Sequence, residues 1–504
     1  MLTGYVEKIL KARVYDVANE TPLEVMPRLS KRLSNTILLK REDLQPVFSF
    51  KLRGAYNRMS QLSADERERG VVCASAGNHA QGVALAANKM NIPALIVMPK
   101  TTPPIKVESV RAYGAEIKLH GNSYDDASAY ALSVAEKDGR TFIHPYDDPE
   151  VIAGQGTIAM EIIRQHPDPI HAVFVPVGGG GLISGVSAYI KAFWPDIKIV
   201  AVEPADAASL KAALEADERV KLDQVGLFAD GTAVRQIGVE PFRICRETVD
   251  EVVTVSSDEL CAAIMDIFQD TRSIAEPSGA LAVAGVKKYL ANNPMENQQL
   301  VAINSGANIN FDRLRHVAER SEIGERREVL FATKIDEQPG SFQKFCKTLG
   351  ERGITEFNYR YADDKQAQVF VGVRMNGQEE ERQQLFSQLD QAGYDWVDFT
   401  DNETAKLHVR YMVGGHAPQV DNERLIRFEF PERPGALLRF LTRIGQRWNI
   451  SLFHYRNHGA DYGRVLVGIQ VGDDYKQEFQ IFLDTLGYTY WEETDNPAYD
   501  LFLK

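Results

Sequence analysis

From residue 36 to about 310, short apolar runs alternate with stretches of helical periodicity, and that alternation leaves few architectures open. Residues 36–40, 71–74, 94–98, 116–119, 172–175, 197–202 and 300–303 read as strands. Roughly ten to fifteen residues with apolar positions at helical spacing separate most of them. Strand and helix in succession predict an α/β domain whose twisted sheets are mostly parallel. Ligands of such sheets gather at the carboxyl ends of the strands, and the Gly-rich and polar motifs of this chain fall there.

The character changes after residue 320. The charged stretch 321–327 (SEIGERR) reads as a connector, and an internal repeat follows it. Within 336–373 the chain runs DEQPGSFQKFCKTLGERGITEFNYR and then VFVGV; within 431–469 it runs PERPGALLRFLTRIGQRWNISLFHYR and then VLVGI. Pro339 pairs with Pro434 and Tyr359 with Tyr455. Each copy predicts a strand, a Pro-Gly turn, an amphipathic helix and two further strands, a small α+β module that packs beside its twin. The expected division is a first domain over 1–320, a connector over 321–328 and a first module over 329–401. A linker over 402–423, a second module over 424–496 and a tail over 497–504 complete it.

A net charge of −13 argues against a nucleic-acid footprint. No run approaches the ~18 apolar residues of a membrane span, and residues 1–8 lack the basic stretch and apolar core of a secretory signal. Cys73, Cys245, Cys261 and Cys346 show no CxxC or metal spacing, which predicts the reduced thiols of a cytoplasmic protein.

Four stretches carry chemistry. Lys51 lies in Pro46-Val47-Phe48-Ser49-Phe50-Lys51-Leu52-Arg53-Gly54, after two phenylalanines and at the start of a helical pattern. An apolar surface and the positive end of a helix dipole both favour the neutral amine. A neutral lysine attacks aldehydes, which is how lysine anchors pyridoxal phosphate before serving as a base. The alternative is a lysine snorkelling from a surface helix.

Ser75-Ala76-Gly77-Asn78-His79 follows a strand and opens a helix. Ser75 or Asn78 would cap such a helix in any protein. The same geometry lets free amides bind a carboxylate, and lets Asn78 reach a phenolic oxygen on the cofactor; His79 reads as packing. Gly178-Gly179-Gly180-Gly181-Leu182 turns amides inward and admits a phosphate without Cβ interference. It lacks the GxGxxG spacing and the Walker lysine, so a plain phosphate suits it better than a dinucleotide. Ser305, in Asn304-Ser305-Gly306-Ala307-Asn308, is a turn residue on one reading. On the other its hydroxyl faces a pyridine nitrogen and leaves it mostly unprotonated, which favours expelling a β-substituent over transamination.

As a set, SFKLRGA, SAGNHAQG, GGGGL and SGAN resemble the fold-type II pyridoxal-phosphate enzymes. With the paired tail, nearly all 504 residues resemble the biosynthetic threonine dehydratase family with two ACT-like domains. The resemblance implies pyridoxal 5'-phosphate as cofactor, with Lys51 as its anchor and the catalytic base, and Asn78 on its hydroxyl. It makes Gly178, Gly179, Gly180, Gly181 and Leu182 the phosphate cup and Ser305 the partner of the pyridine nitrogen. Ser75 and Gly77 would hold the substrate carboxylate. The implied reaction is deamination of L-threonine to 2-oxobutanoate and ammonia, the first committed step of isoleucine synthesis, with L-serine as a second substrate. A homotetramer inhibited by isoleucine and relieved by valine is implied with it.

Serine racemases, on the same fold, place a divalent cation with a Glu, a carbonyl and an Asp in a stretch that aligns with 202–209. Here the aspartate position is Ser209, so no metal is expected and Glu203 reads as structural. Tyr359 and Tyr455 hold equivalent repeat positions and are candidates for the effector pockets; the other reading makes them core aromatics like Phe357 and Phe453. An amino-acid sensor with a vestigial catalytic half is a different class of function, and the intact lysine, phosphate loop and serine speak against it.

Overall fold

Residues in the central strands alternate between two apolar cores, which is why these runs are apolar throughout instead of every second residue. Leu38, Val173, Val175, Val301 and Ile303 face one core; Ile37, Leu39, Phe174, Leu300 and Ala302 face the other. The structure, a computed structural model, describes every residue but Met1, 362–365, 408, 413–415, 418, 432–435, 445–446, 457–461, 498, 500–502 and Lys504. It divides into two units, Met1–Gly324 and Glu325–Lys504.

The first unit holds ten strands in chain order: β1 (Leu23–Val25), β2 (Thr36–Arg41), β3 (Val71–Ala74), β4 (Ala94–Met98) and β5 (Glu116–Leu119), then β6 (Thr141–Phe142), β7 (Ala172–Pro176), β8 (Lys198–Pro204), β9 (Glu251–Val255) and β10 (Gln299–Asn304). They form a six-stranded sheet in the order β1-β2-β10-β7-β8-β9 and a four-stranded sheet in the order β5-β4-β3-β6. All neighbours run parallel except β1 against β2, so the expected α/β architecture with mostly parallel sheets is the one observed. β3, β7 and β10 end at Ala74, Pro176 and Asn304, just before the polar and glycine motifs.

The stretch expected as a connector is partly helical. The helix Arg313–Gly324 runs through its first four residues, because Ile323 is buried and Arg320 pairs with Asp258 at 2.7 Å.

The second unit is one antiparallel sheet of β11 (Glu328–Asp336), β12 (Ile354–Arg360), β13 (Gln366–Arg374), β14 (Trp396–Asp398), β15 (Glu423–Pro431), β16 (Asn449–Arg456), β17 (Tyr462–Gln470) and β18 (Thr489–Glu492). Its order, β14-β11-β13-β12-β16-β17-β15-β18, reads the same from both ends in repeat terms. The repeats do lie side by side: β12 pairs with β16, setting Tyr359 opposite Phe453 and Phe357 opposite Tyr455. Each module also has a second helix, Glu379–Gln391 or Lys476–Leu486, and a short fourth strand that the repeat motif does not reach. The turn at Pro434 lies outside the described residues, as do parts of the expected linker and tail.

Candidate active site

Lys51 opens the helix Lys51–Ser60, and no side chain caps it. The residues before it are stitched to the loop after β10. Phe50 N–H donates to Ser305 O at 3.3 Å, Ala307 N–H donates to Phe48 O at 2.9 Å, and Ser49 bridges to Gly306. Behind Lys51 the helix presses on Pro149–Gln165, where a Cβ on Gly54 would lie 2.7 Å from Val151 O. Only glycine permits that approach. The half-buried Nζ of Lys51 donates to Pro145 O at 2.9 Å and lies 5.3 Å from the Phe50 ring centroid. Burial pulls its pKa down to about 8, with the Glu276 carboxylate opposing. At pH 8 about half of such an amine is neutral, against about 0.3% for an ordinary lysine.

Asn78 is the first residue of the helix Asn78–Met90, and Gly77 is its uncapped N-cap. The Ser75 hydroxyl oxygen accepts from Gly77 N–H at 3.2 Å, leaving its own hydrogen to donate. A Cβ on Gly77 would meet nothing within 4 Å, so this turn borders open space. Ser305 is buried, and its hydroxyl donates to Ser278 O at 3.3 Å. His79 is buried with its pKa pushed down to about 3 by that burial, so it is neutral and packs against Ile143 O at 2.8 Å.

The glycine loop leads into the helix Gly181–Phe193, again without a side-chain cap. Cβ atoms on Gly178, Gly179, Gly180 and Gly181 would come within 2.9, 2.2, 2.6 and 2.9 Å of Thr232, Tyr146, Ile237 and Gln155. Gly180 also sits at φ +92°, where glycine alone is unstrained. Bare amides at a helix N-terminus with no side-chain oxygen to satisfy them suit a phosphate.

Unsatisfied buried atoms lie on residues within or packed against these motifs, Gln155 among them beside Gly54 and Gly181. Gln155 is 1% exposed, and neither its Nε2 nor its Oε1 has a partner among the described residues; Ser49 Oγ and Asn304 Nδ2 are likewise buried and unpartnered. Groups left this way cost about 1–3 kcal/mol each unless something bonds them. An uncapped glycine loop, a lysine poised to be neutral and polar atoms without partners together fit pyridoxal phosphate.

Sequence reasoning passed over Glu276. It stands before Pro277 and reads as an ordinary helix start, yet its carboxylate does not cap the helix Pro277–Asn292. Instead its Oε1 accepts from Asn78 Nδ2 at 2.6 Å, inside the site. Arg53 carries a further missed feature: with Lys40, Glu42 and Glu161 it forms a fully buried ion network beside Lys51.

Elsewhere, Glu203 is buried and accepts from Leu210 N–H at 2.8 Å and Lys211 N–H at 2.9 Å, with burial pushing its pKa up to about 7. It is a helix-terminus anchor. In the second unit Tyr359 and Tyr455 are both buried in one core, and the Tyr359 hydroxyl donates to the Glu337 carboxylate. Beside them a small cleft of about 10 Å³ lies between the modules, lined by Pro339, Gly340, Phe342, Trp448 and Asn449 among others. All four cysteines are buried and unbridged, and no described helix is long and apolar enough to cross a membrane.

Residues 14–306 match the pyridoxal-phosphate dependent enzyme family, and residues 319–409 and 414–503 match the C-terminal regulatory domain of threonine dehydratase. Over 502 residues the chain is 58% identical to the biosynthetic L-threonine dehydratase IlvA of Burkholderia multivorans, covering 99% of both. Its fold is similar to the processed form of threonine deaminase isoform 2 from Solanum lycopersicum, at TM-score 0.63 and 52% identity, covering 64% of this chain and 93% of that one. It is also similar to maize serine racemase, at TM-score 0.59 and 32% identity, covering 62% of this chain and 96% of that one.

Proposed function

The chain belongs to the biosynthetic threonine dehydratases, pyridoxal-phosphate dependent enzymes with a C-terminal regulatory domain, and from that premise we propose that it deaminates L-threonine to 2-oxobutanoate and ammonia. Lys51 carries this reading: a lysine at an uncapped helix start, with a pKa near 8, that follows the residue bonded to Ser305 O and reaches Pro145 O, next to the Tyr146 that packs on Gly179. Bound pyridoxal phosphate supplies an electron-withdrawing ring that acidifies the hydrogen on the substrate's Cα. Lys51, as the neutral amine, takes that proton. Asn78 would donate to the phenolic oxygen, Ser305 would lie by the ring nitrogen, and the amides of Gly178 to Leu182 would hold the phosphate. Ser75 and Gly77 orient the substrate carboxylate so that the Cα hydrogen faces Lys51; the β-hydroxyl takes up a proton and leaves as water, and water then hydrolyses the released enamine to the keto acid and ammonia. L-serine, one methyl smaller, is a second substrate of the same site. One keto acid and one ammonia per threonine consumed are expected from the purified holoenzyme; no keto acid from threonine or serine would overturn the reading.

The remaining expectations follow from the family. Residues 1–320 act as the catalytic domain of a cytoplasmic homotetramer, and 329–401 and 424–496 act as ACT-like modules through which isoleucine inhibits and valine relieves. Tyr359 supports that role, because its hydroxyl holds Glu337 at the head of the 338–340 turn that lines the inter-module cleft. Control requires an effector to bind two states unequally. Tyr359→Phe is therefore expected to shift the isoleucine concentration for half-inhibition by about fivefold or more, the lower end of ordinary allosteric coupling, and to change the uninhibited rate less. Superimposable inhibition curves would leave Tyr359 as packing only.

A further inference from the structure

Asn78 is held at both ends of its amide. Asn308 Nδ2 donates to Val47 O at 2.8 Å and to Asn78 Oδ1 at 2.7 Å. A backbone carbonyl can only accept, so the Asn308 nitrogen has one possible orientation, and that makes Oδ1 of Asn78 an acceptor. The Asn78 Nδ2 is then directed at Glu276, whose Oε1 accepts at 2.6 Å. An amide nitrogen has two hydrogens. One is committed to Glu276, and the other is left for a ligand.

Glu276 is 3% exposed and takes no part in capping its own helix. A Cβ on Gly306 would lie 2.6 Å from its Oε1, so the carboxylate sits directly over the residue that follows Ser305. The groups facing it are mixed in charge. Asp230 repels its anionic form; the Asn78 side chain, Lys106 and the Asn308 backbone amide stabilise it, and Lys51 faces it from the helix Lys51–Ser60. Asp230 is itself paired with Lys106 at 2.6 Å and Arg313 at 3.8 Å. Burial, with Asp230 adding to it, pushes the Glu276 pKa up to about 7.

We propose that Glu276 is a positioning residue for the cofactor's phenolic end: with Asn308 it fixes the Asn78 amide so that the second N–H points into the site, and its charge sets how strongly that N–H donates. Two bonds donated by one nitrogen compete, because a stronger acceptor on one N–H leaves the other less polarised, and a low-dielectric interior enlarges the effect. An ionised Glu276 therefore weakens the remaining donor and a neutral one strengthens it. The inference rests on the reading that Asn78 contacts the phenolic oxygen.

The test is the visible absorption of the holoenzyme between pH 5.5 and 8.5, read without substrate. The wild-type band is expected to change with an inflection near pH 7. Glu276→Gln preserves shape and an acceptor oxygen but carries no charge, and is expected to lose that inflection. Glu276→Asp keeps a carboxylate and is expected to retain an inflection between about pH 6 and 8, which decides the matter should the glutamine variant fail to hold cofactor. An inflection that persists unchanged in Glu276→Gln, or is absent from a cofactor-loaded Glu276→Asp, would overturn the proposal. Asn78→Ala separates the two layers. A band that Asn78→Ala neither moves nor alters in pH response removes the Asn78 reading itself. A band that moves with Asn78→Ala while Glu276→Gln titrates as wild type removes only Glu276.

Discussion

Lys51→Ala is expected to lower the rate of keto-acid formation by at least about a thousandfold, within the range measured for removal of a positioned acid or base, and to remove the visible absorbance of lysine-anchored cofactor. Both losses have one cause. On the proposed reading the amine that attaches the cofactor also takes the proton: it lies 2.9 Å from Pro145 O with its pKa lowered by burial, while the Glu276 carboxylate is engaged by the Asn78 amide. His79 is buried and already neutral, but its ring is turned to Ile143 O. Lys51→Arg is an informative companion, since a guanidinium cannot become neutral; it should be as inactive as alanine. A yellow, active Lys51→Ala protein would remove the assignment.

The second large effect is on stability. Arg53 is fully buried two residues beyond Lys51, with Nε 2.8 Å from Glu42 Oε2 and Nη1 2.6 Å from Glu161 Oε1. Lys40, buried too, donates to Glu161 Oε2 at 2.7 Å. The four charges balance, two against two, and they tie the Lys51 helix to β2 and to the helix Pro149–Gln165. Arg53→Met keeps much of the volume but leaves Glu42 without its cation and Glu161 with Lys40 alone in the interior. The expected cost is about 3–5 kcal/mol, the usual result of deleting one member of a buried ionic cluster. Urea unfolding of the holoenzyme reads it as a lower midpoint for the first unit. A midpoint unchanged within error would mean that helix packing at Gly54 and Gly154, not the ion network, holds Lys51 in place.

The two effects mark where the sequence was legible. Strands β2, β7 and β10 announce themselves as unbroken apolar runs because both their faces are covered. β1, with two of three residues exposed, and β6, only two residues long, carry no such signal. The motifs that meet at the site are legible because each follows a strand and opens a helix or turn, and parallel topology then brings strand ends together. Glu276 and Arg53 are not legible in that way. Each is a single charged residue in an ordinary helical context, and only the fold shows that Asn78, 198 positions away in the chain, is the partner of Glu276. The tail repeats in the same fashion: identity between copies marks the first helix and its flanking strands, while Glu379–Gln391 and Lys476–Leu486 share too little sequence to be seen as equivalents.

The most direct test of the central claim is the pH course of 2-oxobutanoate release from L-threonine by the holoenzyme, without effectors. On the proposed reading Lys51 acts as a base only when neutral, and its pKa is lowered by burial, so activity is expected to be lost as pH falls below about 8 and to be present above it. The rate is predicted to climb about tenfold from pH 6 to pH 7 and to level off above about pH 8. A rate that climbs on toward pH 10 would mean an unshifted lysine, and a rate already flat at pH 6 would mean that Lys51 is not the base.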